Sequence, residues 1–141
     1  MVEADKIWQM ITEPVFIMIV ESQPLMRAAL STTLAAEGFK VAESVWNSQT
    51  IRTASKLQPN LILLSVGTSS WDDPKSISAF RKRLPSTLIV ALITGEFPGQ
   101  EQEALDQGAH MVIQKTASRS MLLNTLNNLL KKTRPLNMLA L

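Results

Sequence analysis

Five short apolar runs, separated by longer amphipathic stretches, constrain the fold of this 141-residue chain more than any other feature. They are 15–20 (VFIMIV), 39–42 (FKVA), 61–64 (LILL), 88–93 (LIVALI) and 111–113 (MVI). The runs 15–20, 61–64 and 88–93 are apolar throughout over four residues or more, without polar–apolar alternation. Strands covered on both faces of a parallel sheet carry that pattern, and the runs are too short for buried helices.

The stretches between them read as helices with recognisable ends. Ser22 or Gln23 can cap a helix with Pro24 in its first turn and Gly38 as its stop, with Leu25, Ala29, Leu30, Thr33 and Leu34 as its apolar stripe. Asn47 or Ser48 starts the next, with Ile51, Ala54 and Leu57 facing inward before Pro59. Asp73-Pro74 reads as a cap followed by proline, and Ile77, Phe80 and Leu84 form the buried face before Pro85. Residues 100–107 make a weaker helix ending at Gly108. Ser118 caps the last, whose stripe is Leu122, Leu123, Leu126, Leu129 and Leu130, and whose other face is Asn124, Asn127, Asn128 and Lys131. Strand–helix units repeated five times predict an α/β fold, an open, doubly wound parallel sheet built from right-handed crossovers. In such folds, sites lie at the carboxyl ends of the strands near the topological switch point.

Composition removes whole classes of chemistry. With no cysteine there is no disulfide framework, thiol nucleophile or cysteine-ligated metal, and a single histidine, His110, excludes a multi-histidine centre. The longest unbroken apolar runs are six residues, far short of a membrane span, and the acids Glu3 and Asp5 do not suit a secretion signal. The expectation is a soluble cytoplasmic protein with no membrane partner. Net charge is +2, yet residues 1–106 hold nine Lys/Arg against twelve Asp/Glu, and residues 107–141 hold five Lys/Arg and no acid. A solvated basic helix face accounts for this asymmetry, and nucleic-acid binding is not the expected use.

The predicted topology brings five positions to one rim: Glu21 and Ser22 after the first strand, Ser65 after the third, Thr94 after the fourth and Lys115 after the fifth. Here a family resemblance becomes visible. The stretch Ile19-Val20-Glu21-Ser22-Gln23-Pro24-Leu25-Met26-Arg27 resembles the start of a bacterial two-component response-regulator receiver domain, in which two acids occupy the places of Glu21 and Ser22. Pro59-Asn60-Leu61-Ile62-Leu63-Leu64-Ser65 is similar to the run that ends in the family's phosphorylated aspartate. Leu92-Ile93-Thr94-Gly95 resembles the end of strand four with its switch hydroxyl, and residues 108–118 resemble the fifth strand with its lysine. The resemblance implies a CheY-like, flavodoxin-like (βα)5 fold with strand order 2-1-3-4-5. It covers residues 14–132, leaving 1–13 as an N-terminal extension and 133–141 as a C-terminal tail.

The departures from the family pattern shape the functional expectation. Receivers hold magnesium with the acidic pair, the acceptor aspartate and a backbone carbonyl, whereas only Glu21 is acidic here. One carboxylate facing Lys115 is a poor magnesium site, so no cofactor is expected. Ser65 lacks the base that a hydroxyl nucleophile needs, so the chain is read as a degenerate pseudo-receiver and not an enzyme. Lys115 is expected to pair with Glu21; the alternative is a small anion held by Lys115, Thr94, Ser22 and Ser65. The family's switch aromatic falls at Val112, and His110 reads as a turn residue.

The implied function is that of a stand-alone signalling module acting by protein–protein interaction, without aspartyl phosphorylation. The partner would be a histidine kinase or another regulator. Trp71, Val112, Asn124, Asn128 and Lys131 are the candidate contact residues. Two alternatives stand beside this one: a phosphorelay receiver with an unusual acceptor such as Asp72 or Asp73, and a small-anion or nucleic-acid binding module. Apolar residues near the ends (Ile7, Trp8, Ile11, Leu136, Met138, Leu139 and Leu141) either fold back or form a patch, for which a homodimer is the commonest solution.

Overall fold

In the computed structural model, residues 14–67, 73–96 and 98–133 are described. The terminal apolar residues, Trp71 and Asp72 lie outside them. The apolar runs become β1 (Phe16–Val20), β2 (Lys40–Ser44), β3 (Leu61–Ser65), β4 (Leu88–Ile93) and β5 (Met111–Gln114). The helices are α1 (Pro24–Ala36), α2 (Thr50–Leu57), α3 (Ser76–Arg83), α4 (Gln100–Asp106) and α5 (Arg119–Thr133). The strands pair in parallel in the order β2-β1-β3-β4-β5, which is the expected doubly wound topology. The order reverses between β1 and β3, so their carboxyl ends open onto the switch point.

Residues 15–117 form one compact unit. Strands β1, β3 and β4 are buried almost along their whole length, as unalternating apolar runs require. On one face Met18, Val20, Ile62, Leu64, Ile89, Ala91 and Ile93 join Ala54 of α2, Ile77 and Phe80 of α3, and Ala104 of α4. Strand alternation sends Ile17, Ile19, Leu61, Leu63, Val90 and Leu92, all buried, to the opposite face. Helix α1 runs alongside β1 and β2 and buries Leu30 and Leu34.

Local details differ from the sequence-based expectations at several points; α2, for one, begins at Thr50 and not at Asn47 or Ser48. Leu25 is 88% exposed, because the buried stripe of α1 runs through Leu30 and Leu34; at about 100° per residue, Leu25 lies well away from it. Ala29, also expected in that stripe, is exposed for the same reason. Leu57, expected to face inward, is 40% exposed at the last position of α2, where Gln58 turns out of the helix with φ 50°. Helix α3 begins at Ser76, later than Asp73-Pro74 suggests. Asp73 instead builds the preceding turn: its Oδ1 accepts the Lys75 N–H at 2.8 Å and its carbonyl accepts the Ser76 N–H at 2.8 Å.

Helix α5 belongs to the second unit, with residues 118–133 described. Ser118 starts it as expected, its Oγ accepting the Met121 N–H at 3.1 Å. Leu122, Leu126, Leu129 and Leu130 are buried, while Asn124, Asn127, Asn128 and Lys131 are exposed. No helix among the described residues is long and apolar enough to cross a membrane.

Candidate functional site

The site is assembled by strand register. Val20 of β1 pairs with Leu64 of β3, so the next residues, Glu21 and Ser65, come side by side at the carboxyl ends. Ser65 pairs with Leu92, and Ile93 pairs with Gln114, which sets Thr94 beside Lys115. Lys115 is anchored by its own N–H, donated to the Ile93 carbonyl at 2.7 Å.

Glu21 is 2% exposed. Its Oε1 lies 3.4 Å from Lys115 Nζ, whose side chain is 16% exposed. The strands that carry these residues are three sheet steps apart, or roughly 14 Å at about 4.8 Å per step. Two long side chains therefore meet above the intervening strand ends, and the expected Glu21–Lys115 ion pair is present. Oε1 makes no hydrogen bond of good geometry, so the contact is an ion pair alone. The second oxygen, Oε2, accepts the Gln23 N–H at 3.1 Å. That places the carboxylate at the start of α1, where the helix dipole favours negative charge.

Ser65 is also 2% exposed, and its Oγ has no hydrogen-bond partner among the described residues. Ser22 and Thr94 are exposed. The rim thus brings together one carboxylate, one ammonium and one buried hydroxyl. Among the described residues no group of three or more His, Asp or Glu could hold a metal ion.

Two residues that the sequence did not single out help to fix this rim. Trp46 follows β2, and its Nε1–H donates to the Ser65 carbonyl at 2.8 Å. Its ring meets Phe80 edge-on, with centroids 5.4 Å apart. Arg27 of α1 donates from Nη1 to the carbonyls of Glu21 at 2.9 Å and Ser22 at 3.4 Å, and its Nε lies 3.6 Å from Glu43 Oε1. Both turn the chain ends after β1 and β3 into fixed positions. A tryptophan immediately beyond a strand on the site's own edge was the available signal for Trp46. For Arg27 it was a cation one turn into a helix that starts at the rim.

Of the remaining candidates, Val112 is half-buried and packs against the core cluster. His110 is more than a turn residue: its Nδ1 accepts the Ile89 N–H at 3.0 Å, while its own N–H goes to the Ile89 carbonyl at 2.8 Å.

This arrangement can be set beside known proteins. The response regulator receiver domain matches residues 17–127. The chain belongs to the response regulator receiver family. A receiver domain protein from Methanospirillum hungatei is similar in structure, with a TM-score of 0.78 at 16% identity, covering 86% of this chain and 97% of that one. The chemotaxis protein CheY4 of Vibrio cholerae gives a TM-score of 0.73 at 23% identity, covering 82% of this chain and 98% of its own. The signal receiver domain of NarL from Mycobacterium tuberculosis gives 0.73 at 22% identity, covering 84% and 98%. A comparison with curated proteins finds no match.

Proposed function

We propose that this receiver is a pseudo-receiver: a cytoplasmic signalling module that works by docking other proteins, without phosphorylation of an aspartate. The observation that carries the reading is Ser65 at the end of β3, buried and neutral, beside Glu21, whose carboxylate is paired with Lys115. A hydroxyl attacks phosphorus only after losing its proton to a base. The neighbouring carboxylate, Glu21, is held by an ammonium and a helix N-terminus.

The donor set also fails to fit magnesium. That ion takes near-octahedral oxygen ligands, with carboxylates to justify its dehydration. Ser22 and Ser65 offer neutral hydroxyls, and Glu21 Oε1 already faces a cation. In this reading the Glu21–Lys115 pair supplies a fixed charge balance, and the module has one resting state rather than two. Val112 in place of a switch aromatic supports the same view. The partner is a histidine kinase or another regulator, met through Trp71, Val112 and the exposed face of α5 that carries Asn124, Asn128 and Lys131.

Calorimetric magnesium titration tests the reading. The natural chain and Ser65→Asp should bind weakly, because Ser22 is still neutral. Ser22→Asp combined with Ser65→Asp should recover most of the affinity. Magnesium binding by the natural chain as tight as by the double variant would overturn the reading.

A further inference from the structure

His110 and Arg81 meet at the opposite rim of the sheet, by the amino ends of β4 and β5. Nδ1 of His110 accepts the Ile89 N–H at 3.0 Å, so that nitrogen carries the lone pair. In a neutral imidazole the proton then sits on Nε2. Partial burial first and the Arg81 cation second lower the proton affinity of the ring below the usual histidine range, against a smaller opposing effect of the hydrogen bond to the Ile89 backbone.

Nε2 lies 3.3 Å from Nη1 of Arg81. A guanidinium nitrogen is only a donor, and so is this Nε2–H. The two groups therefore cannot hydrogen-bond to each other, and both present an N–H to the same small volume. Arg81 is held in place from two sides. Its stem lies so close to Gly108 that a Cβ there would collide with Arg81 Cγ, and Nη1 donates to the Pro85 carbonyl at 3.4 Å. Neither residue makes an ion pair with an acid among the described residues. Asp106 on α4 is the nearest acid in sequence to Gly108, and its Oδ1 is occupied by Gln102 Nε2 at 2.8 Å. Lys82 and Arg83, exposed in the same last turn of α3 as Arg81, make the surroundings positive.

We infer that Arg81 and His110 form a receptor for a small oxyanion, a carboxylate or phosphate group, one oxygen of which accepts both the Nη1–H and the Nε2–H. The acceptor relieves the donor–donor confrontation and gains a charge-assisted hydrogen bond from the guanidinium. The site is separate from the Glu21–Ser65 rim and does not depend on how that rim is read.

The test is a titration of the full chain, followed through its side-chain nitrogen resonances by NMR. In the free protein at neutral pH, His110 should be the Nε2–H tautomer. At constant ionic strength, inorganic phosphate or acetate should shift His110 Nε2 and the Arg81 guanidinium saturably, with half-saturation at about a few millimolar. Whichever of the two binds more tightly identifies the oxyanion class. Arg81→Gln should weaken the binding about tenfold or more, whereas Lys115→Gln should leave it unchanged. Arg81→Lys, which keeps the stem on Gly108 but loses the fork, gives the same reading should the glutamine variant fail to fold. An Nδ1–H tautomer in the free protein, equal shifts with chloride, or full binding by both Arg81 variants would overturn the inference.

Discussion

Replacing Glu21 by glutamine removes the charge of a carboxylate that is almost fully buried. At the observed 3.4 Å separation from Lys115, the Coulombic attraction is about 5 kcal/mol at an effective dielectric of about 20. Desolvation of both groups offsets much of this, and the net loss depends on what the remaining ammonium can do. Breaking a fully buried pair costs about 3–5 kcal/mol, and an exposed one at most about 1. Glu21 is fully enclosed, but the Lys115 side chain keeps 16% of its exposure and can swing partly into solvent. A loss of about 2 kcal/mol follows, or roughly 6–10 °C in Tm for a domain of this size. The Gln23 N–H keeps an acceptor in the glutamine amide oxygen, so α1 should stay intact. The assay is a double-mutant cycle of urea unfolding with Glu21→Gln, Lys115→Met and both together. The coupling energy should be about 1–2 kcal/mol, with the double variant more stable than additivity predicts. A coupling below about 0.5 kcal/mol, or a Glu21→Gln chain as stable as the natural one, would refute the claim that this pair holds the rim.

Two further outcomes follow from groups around the sheet. Because His110 has a folded-state pKa below its ordinary value of 6.5, the unfolded chain binds the proton more readily. Its contribution to stability is therefore present above that ordinary value and is lost as pH falls through the lower folded value. Urea melts should show stability dropping as pH is lowered from 7 towards 5, with the dependence flattened in His110→Gln; equal slopes for both chains would count against the burial of the ring and its contact with Arg81, which lower its proton affinity. Trp46→Phe keeps a ring against Phe80 but leaves the Ser65 carbonyl without its donor. It should cost about 1–2 kcal/mol in chemical unfolding, and a cost no larger than that of a surface substitution would show that the bond is dispensable.

Much of this architecture could be read directly because it depends on burial. Runs such as LILL at 61–64 put apolar side chains on both faces of the strand, so they had to be covered on both sides, and their spacing then set the sheet. The inward faces of α3 and α5 followed from leucine, isoleucine and phenylalanine spacing alone. The ion pair between Glu21 and Lys115 was legible because the topology places both at strand carboxyl ends. Helix ends were less legible. Leu25 and Leu57 are apolar, yet their orientation depends on where the first and last turns begin, which one residue shifts by about 100°. Hydrogen bonds between side chain and backbone across the sheet were not legible at all. Trp46 to Ser65 spans 19 positions and His110 to Ile89 spans 21. Such bonds depend on rotamers that only the packed structure fixes.

The proposed pseudo-receiver takes no phosphoryl group, either on Ser65 at the end of β3 or on Asp72, nearby in the sequence. The most direct test is the intact mass of the full chain after incubation with acetyl phosphate and magnesium, followed by peptide mapping. The mass should show no gain over a magnesium-free control. A magnesium-dependent gain of one phosphate, mapped to Ser65 or to Asp72, would contradict it.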